Sequence, residues 1–295
     1  MVVIGSAGVL APGKWRWARA FAWMVSLCAA IVVGYNAVAK GTLMVLGSGA
    51  DAAAGDKLLA ASAGVIVILI LYWAAVHFCE RRAVAELDLR RAIIDLLLGL
   101  AVSAGVLGSI VGLLWAFGWV SIESRPIDGV ALALRDSIRS GVLEEVVLRL
   151  VILRLLWRAF GIWPAIAGAA LLFGLLHMGN PDSSLFAALC LIAGEGIGIG
   201  LYLLTGRIWA SIGMHAAWNF TQGWIFGAAV SGTFDIGGGP LATRAVAGVP
   251  DLLSGGGFGP EASLAALLIS LLASFGFLRL AWTRGCFAAR DKGIA

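Results

Sequence analysis

Two adjacent carboxylates and a guanidinium, Glu144-Glu145-x-x-x-Arg149, interrupt the otherwise apolar run from Gly141 to Leu150. A charge at the bilayer centre costs about 2.5–3.5 kcal/mol on insertion scales, so three in one stretch require a purpose. On a helix that turns about 100° per residue, Glu145 and Arg149 share a face with the acid N-terminal to the base, the favourable order. Glu144 points about 100° away and has no partner within the helix. The spacing thus suggests that Glu145 and Arg149 neutralise each other while Glu144 is left for acid–base chemistry. An ion network that only fixes helix packing would use the same residue types.

The chain has three histidines. His77 ends an apolar run before Glu80-Arg81-Arg82 and reads as an interfacial side chain without a role. His177 closes Phe173-Gly174-Leu175-Leu176-His177, at the end of an apolar run from Pro164 of about 14 residues, or ~21 Å at 1.5 Å per residue. That is short of the ~30 Å hydrocarbon thickness and places His177 at membrane depth. His215 and Asn219 are spaced i, i+4 on one helix face, where an imidazole and an amide can donate two hydrogen bonds to one oxyanion. An interhelical clamp is the competing reading of that pair, and a histidine bonded within a helix interface that of His177. Glu195, alone among glycines in Gly194-Glu195-Gly196-Ile197-Gly198-Ile199-Gly200, either serves the same site or pairs with an arginine elsewhere. The sequon Asn219-Phe220-Thr221 lies within a span and is no glycosylation acceptor.

These residues must be positioned by membrane helices. The chain of 295 residues is 61% hydrophobic and 13% charged, with a mean hydropathy of +0.97; a soluble domain carries about 25% charged residues. Runs long enough to span a bilayer recur throughout. The expected fold class is an all-α membrane protein, one transmembrane domain over residues 1–295. About eight spans are expected, near Ala20–Val38, Leu58–Phe78, Ile93–Trp119, Ile138–Trp157, Pro164–Met178, Leu185–Leu204, Ile208–Val230 and Ala262–Trp282. Asp128 to Arg139 reads as an amphipathic lead-in to the fourth. Ala37-Val38-Ala39 resembles a signal-peptidase site, but the apolar run before it is longer than a signal h-region, so the first span is kept.

Basic clusters fall on alternate connections: Lys14, Arg16 and Arg19; Arg81, Arg82, Arg90 and Arg91; Arg158; Arg207; and Arg284, Arg290 and Lys292. Both termini are therefore expected in the cytoplasm. On that orientation a fourth span starting at Ile138 puts Glu144 near its outer end, whereas His215 lies about two turns from the inner end of its own. The two could meet only through tilt or broken helices. The net charge of +4 belongs to these clusters, and no nucleic-acid partner is expected. Four scattered cysteines form neither a CxxC pair nor a disulfide framework. Gly179-Asn180-Pro181-Asp182-Ser183-Ser184 reads as a compact turn in which Asp182 or Ser183 caps the next helix. Ser231–Pro260, with its two glycine triplets, reads as a flexible outer connector or lid.

The ordered trio Glu144-Glu145-x-x-x-Arg149, Phe173-x-x-x-His177 and His215-x-x-x-Asn219 resembles the CPBP family, the CAAX-prenyl-protease and bacteriocin-processing intramembrane endopeptidases, also called Abi proteins. The flanks His177-Met178-Gly179-Asn180-Pro181 and Leu204-Thr205-Gly206-Arg207-Ile208-Trp209 resemble bacterial members. The similarity covers about residues 137–225. It implies hydrolysis of a peptide bond in a membrane-associated protein or peptide, within or near the lipid bilayer. Carried over, Glu144 and His177 would activate water, His215 and Asn219 would hold the oxyanion, and Glu145 and Arg149 would support them. The resemblance admits a divalent metal such as zinc on Glu144, His177 and His215, or a metal-free route with Glu144 as general base. A multi-pass protein of a bacterial cell membrane is expected. The reading from a different class is a non-catalytic immunity or scaffolding protein, or a small transporter. A transporter would favour pseudo-symmetric halves, and these motifs occupy one region.

Overall fold

A computed structural model describes residues 1–49, 51–233 and 238–289. Gly237, Arg290 and Lys292, used in the glycine-triplet and charge readings above, lie outside the described residues. The chain forms a helical bundle. Six helical stretches among the described residues are long and apolar enough to cross a membrane: Arg16–Val45, Ala54–Cys79, Ala85–Ala116, Ile162–Gly179, Leu185–Thr205 and Leu264–Thr283. Within them run α1 (Arg16–Val45), α2 (Ala54–Ala74), α3 (Ala92–Ala116), α6 (Ile162–Leu176), α7 (Leu185–Thr205) and α10 (Leu264–Thr283). Many of their large apolar side chains point outward, among them Phe21, Ile66, Ile93, Leu272 and Phe275, as a lipid-facing surface requires.

Two further helices stand at the fourth and seventh expected positions, and they carry the first and third motifs. One is α4 (Val130–Glu145), continued by a π-helical segment Val146–Leu153 and then α5 (Arg154–Phe160). The other is α8 (Trp209–Phe220), continued by a π-helical turn Thr221–Ile225. They differ from the six for a physical reason: the first is too charged and the second too short in its α-helical part to be an ordinary span.

The expected lead-in from Asp128 to Arg139 is not a separate surface segment, because α4 already begins at Val130. This removes the difficulty over depth. Glu144 lies near the middle of the continuous helix from Val130 to Phe160, not at its end, and so reaches the level of His215 without a broken helix. That helix is also the centre of the bundle: every residue from Leu148 to Leu155 is buried, packed against Ile68 and Tyr72 of α2, Ala169 of α6 and Ile199 of α7.

Among the described residues of the Ser231–Pro260 connection, a strand and a short helix stand where a flexible loop was expected. Leu241–Ala245 forms strand β2, antiparallel to strand β1, Val120–Ser124, in the register Ile122 opposite Thr243. Thr243 Oγ1 donates to Phe226 O at 2.7 Å, and α9 follows at Asp251–Ser254. Ser184, not Asp182 or Ser183, caps α7: its hydroxyl accepts from Ala187 N at 3.0 Å.

At the far end of the central helix lies a buried ion network that the charge pattern did not reveal. Arg154 donates through Nη1 and Nη2 to Glu80 at 2.8 and 2.7 Å. Arg82 donates to Glu80 at 2.9 Å and to Glu86 at 2.6 Å. Trp23 Nε1 adds a bond to Glu80 at 2.9 Å. Arg154 also donates to Ile4 O at 3.2 Å and Arg158 to Gly5 O at 2.8 Å, which fastens the N-terminal residues beneath the bundle. Arg82, counted above among the topology signals, is thus a buried structural cation. Burial alone would push the Glu80 carboxyl up, but Arg154 first and then Arg82 and Trp23 hold it below the ordinary glutamate value.

Removing one partner of a buried pair leaves an uncompensated charge, so Arg154→Ala should destabilise the protein by about 3–5 kcal/mol, read as a lowered unfolding midpoint in detergent. Because the Glu80 carboxyl is depressed in the folded state, its contribution is present at neutral pH. It is lost only as pH falls below the unfolded value of about 4.3 and through the folded one. Unfolding midpoints across pH 3–7 should show this loss in the parent and a smaller one in Arg154→Ala, where Arg82 and Trp23 still hold Glu80.

Candidate active site

The side chain around which the site is built is Arg149, fully buried where the α-helix widens into a π-helix. Its Nε lies 2.9 Å from Glu145 Oε2, and Nη1 donates to Glu195 Oε2 at 2.7 Å. The alternatives left open for Glu195 resolve to a pair with Arg149, inside the site. Space for the guanidinium comes from α7: a Cβ on Gly198 would stand 2.3 Å from Arg149 Nη2. Glu145 also receives His215, whose Nδ1 lies 2.9 Å from Glu145 Oε1. Arg149 therefore ties α4, α7 and α8 together, and Glu145 holds His215 by one ring nitrogen.

The two carboxylates of the first motif part company as their helix phases demand. The Glu145 side chain is 0% exposed and the Glu144 side chain 34%. Glu144 Oε2 lies 3.8 Å from His215 Nε2, too far for a direct hydrogen bond but within an ion-pair approach. Close contact between α4 and α8 permits this, since a Cβ on Gly141 would meet Ala216 Cβ at 2.7 Å.

His177 follows α6 at the start of a short 3₁₀ turn, His177–Gly179. Its Nδ1 lies 2.8 Å from Phe173 O. A carbonyl only accepts, so Nδ1 carries the proton and Nε2 is left as an acceptor. The Phe173 ring packs 4.4 Å from the His177 ring and 6.1 Å from the His215 ring, centroid to centroid. The phenylalanine of the second motif is thus the apolar spacer between the two histidines.

Asn219 is oriented by Ser140, to which its Nδ2 donates at 2.6 Å; Ser140 Oγ in turn donates to Asp136 O at 2.8 Å. Sequence reasoning missed Ser140, although its place four residues before Glu144 puts both on one helix face.

Glu144, Glu145, Arg149, His177, His215 and Asn219 all line one cavity of about 690 Å³. That size falls within the range of small-molecule sites and is large enough for a short stretch of polypeptide. Its walls also include Tyr35 and Lys57 on one side and Glu195 and Glu261 on the other. Every residue predicted for the site is therefore brought to one place. One carboxylate oxygen and two imidazole nitrogens are donor types that a divalent ion accepts. Among the described residues, however, no three His, Cys, Asp or Glu side chains are arranged to hold a metal ion. The trio Glu144, His177 and His215 lines the cavity without forming a ligand set.

Residues 126–221 match the family model described as type II CAAX prenyl endopeptidase Rce1-like. The match contains all three motifs and bears out the resemblance drawn from them. No curated protein and no solved structure matches the chain.

Gly198→Ala should displace the Arg149 guanidinium and cost about 1–3 kcal/mol of stability, as overpacking does. A wild-type unfolding midpoint for this variant would show that Arg149 does not depend on that contact.

Proposed function

We propose, from the match of residues 126–221 to a CAAX prenyl endopeptidase family model, that the chain hydrolyses a peptide bond of a membrane-associated protein or peptide at Glu144. One observation carries this reading. Of the two carboxylates of the first motif that line the cavity, Glu144 is the exposed one, at 34% against 0% for Glu145, and the same cavity holds both motif histidines and Asn219.

The chain's own groups suffice for each step. Water held between the Glu144 carboxylate and His177 Nε2 gives a proton to Glu144 and attacks the scissile carbonyl carbon. The carbonyl oxygen becomes an oxyanion that accepts from His215 Nε2–H and from the second N–H of Asn219, the first being engaged by Ser140. Collapse breaks the C–N bond, and the proton held by Glu144 passes to the leaving amine. For this role His215 must carry protons on both nitrogens. Two carboxylates face the ring and favour that state: Glu145 Oε1 lies 2.9 Å from Nδ1 and Glu144 Oε2 3.8 Å from Nε2. This is the metal-free route; a divalent ion held by Glu144, His177 and His215 would instead supply a bound water of lowered pKa. The protein resides in the cell membrane of a bacterium with both termini in the cytoplasm, as the basic connections favour.

The test is turnover of a pool of internally quenched peptides by purified full-length protein in proteoliposomes. Glu144→Gln should lower kcat by about 10²–10⁴, and Asn219→Ala by about 10²–10³. In H₂¹⁸O the new C-terminal carboxyl should gain one ¹⁸O atom. Full turnover by folded Glu144→Gln and His177→Ala would end the assignment of catalysis to these residues, and no turnover by the folded parent would end the endopeptidase reading. Chelation should leave the rate within about two-fold. Loss on chelation with recovery on added zinc would instead make Glu144, His177 and His215 metal ligands.

A further inference from the structure

Glu261 lies outside the matched residues and outside all three motifs, yet it is 5% exposed and lines the same cavity as Glu144. The hydrogen bonds it accepts come from neutral donors. Oε2 accepts from Trp218 Nε1 at 2.8 Å. Oε1 accepts from Ser231 N at 2.6 Å and from Ser231 Oγ at 2.9 Å. Trp218 sits on α8 between His215 and Asn219. Ser231 is held at a φ of 48°, a left-handed backbone that L-residues other than glycine seldom adopt. Such a conformation persists only where its surroundings over-determine it. They do so here, because the carbonyl of Ser231 also accepts from Asn180 Nδ2 at 2.9 Å. Asn180 follows His177 across its 3₁₀ turn.

A continuous chain of hydrogen bonds therefore runs from Asn180 through Ser231 and Glu261 to Trp218. It joins the turn that begins at His177 to the helix that carries His215 and Asn219. The direct contact between the histidines is the Phe173 ring, and an apolar contact tolerates sliding. Hydrogen bonds to a carboxylate are directional and about twice as strong as neutral ones, so they can fix what the ring cannot.

Building on the endopeptidase reading, we propose that Glu261 is a positioning residue. It sets the separation between the water-activating side of the site, Glu144 and His177, and the oxyanion-holding side, His215 and Asn219. It does so through the ordered outer connection, without touching the scissile bond.

Glu261→Gln keeps the shape but offers an amide nitrogen that cannot accept, so one arm of the chain is lost. Trp218→Phe keeps an aromatic side chain against the apolar clusters it packs on and removes the indole donor. Three readouts apply to full-length protein in proteoliposomes: kcat and KM on the quenched-peptide pool, the thermal midpoint, and hydrogen exchange over residues 177–183 and 215–222. For Glu261→Gln, kcat should fall about ten- to a hundred-fold, as misplacement on the ångström scale does. KM should stay within about two-fold, the midpoint near that of the parent, and exchange should rise in both segments. Trp218→Phe should lower kcat less, and the double variant should be no slower than Glu261→Gln alone. Should Glu261→Gln not fold, Ser231→Ala removes a single donor and should give a smaller kcat loss of the same kind. Wild-type kcat, a loss confined to KM, or losses that multiply in the double variant would overturn the proposal. Glu144→Gln, assayed alongside, separates the two ideas. If it keeps full turnover, the assignment of catalysis to Glu144 fails, and the Glu261 linkage stands or falls on whether exchange rises in both segments.

Discussion

The structure depends first on how one guanidinium is kept in the interior of a membrane bundle. Arg149 is fully buried, and an isolated charge there would carry a desolvation penalty of several kcal/mol. Glu145 from its own helix and Glu195 from α7 offset that penalty only while both helices hold their places. The interaction is thus a constraint on packing as much as a source of stability. Gly198 must remain without a side chain, α7 must approach closely, and α8 must present His215 to the free oxygen of Glu145.

From this follows the separation of two chemically identical neighbours. Glu145 spends its oxygens on Arg149 and His215 and has no exposure, whereas Glu144, one residue earlier, turns toward the cavity. The transition to π-helix begins at the next residue, Val146. A second begins at Thr221, two residues beyond Asn219. Wider turns of this kind leave backbone groups less regularly paired and are frequent at functional sites. Here Arg149 lies inside the first and Asn219 just before the second, on two helices in close contact; a third such segment, Ala75–Cys79, carries no motif residue.

The helix positions and the three motifs were legible because each rests on local periodicity: apolar runs of spanning length, and i, i+4 pairs whose shared face follows from 3.6 residues per turn. The separation of Glu144 from Glu145 came from that same arithmetic. What was illegible depended on contacts distant in sequence. Glu195 gave no sign of its partner, because Arg149 already had one in Glu145. Arg82 looked like a topology signal, since a buried arginine and a cytoplasmic one are written alike. The β1–β2 ribbon was hidden because Leu241–Ala245 lies between glycine-rich stretches and pairs with a strand before α4. The start of α4 was misplaced because Arg135, Asp136 and Arg139 break the apolar pattern. In the structure Asp136 draws both arginines to itself, Arg135 Nε at 2.8 Å and Arg139 Nε at 3.8 Å, and the helix runs through them.

The arrangement also constrains the form in which a substrate can be cut. In a helix the carbonyl of the scissile bond is already engaged by the amide four residues on, and is closed to attack and to new donors. A membrane-embedded segment must therefore be unwound locally, and each freed carbonyl and amide needs a partner in a medium that offers no water. The cavity wall supplies such partners on both sides of Glu144. His215 and Asn219 stand on α8, and the polar cluster of Lys57, Arg135, Asp136 and Ser140 lies toward α2 and the start of α4. On the proposed endopeptidase reading, a polar chamber inside an apolar bundle offsets the cost of unwinding and sets the unwound bond near Glu144.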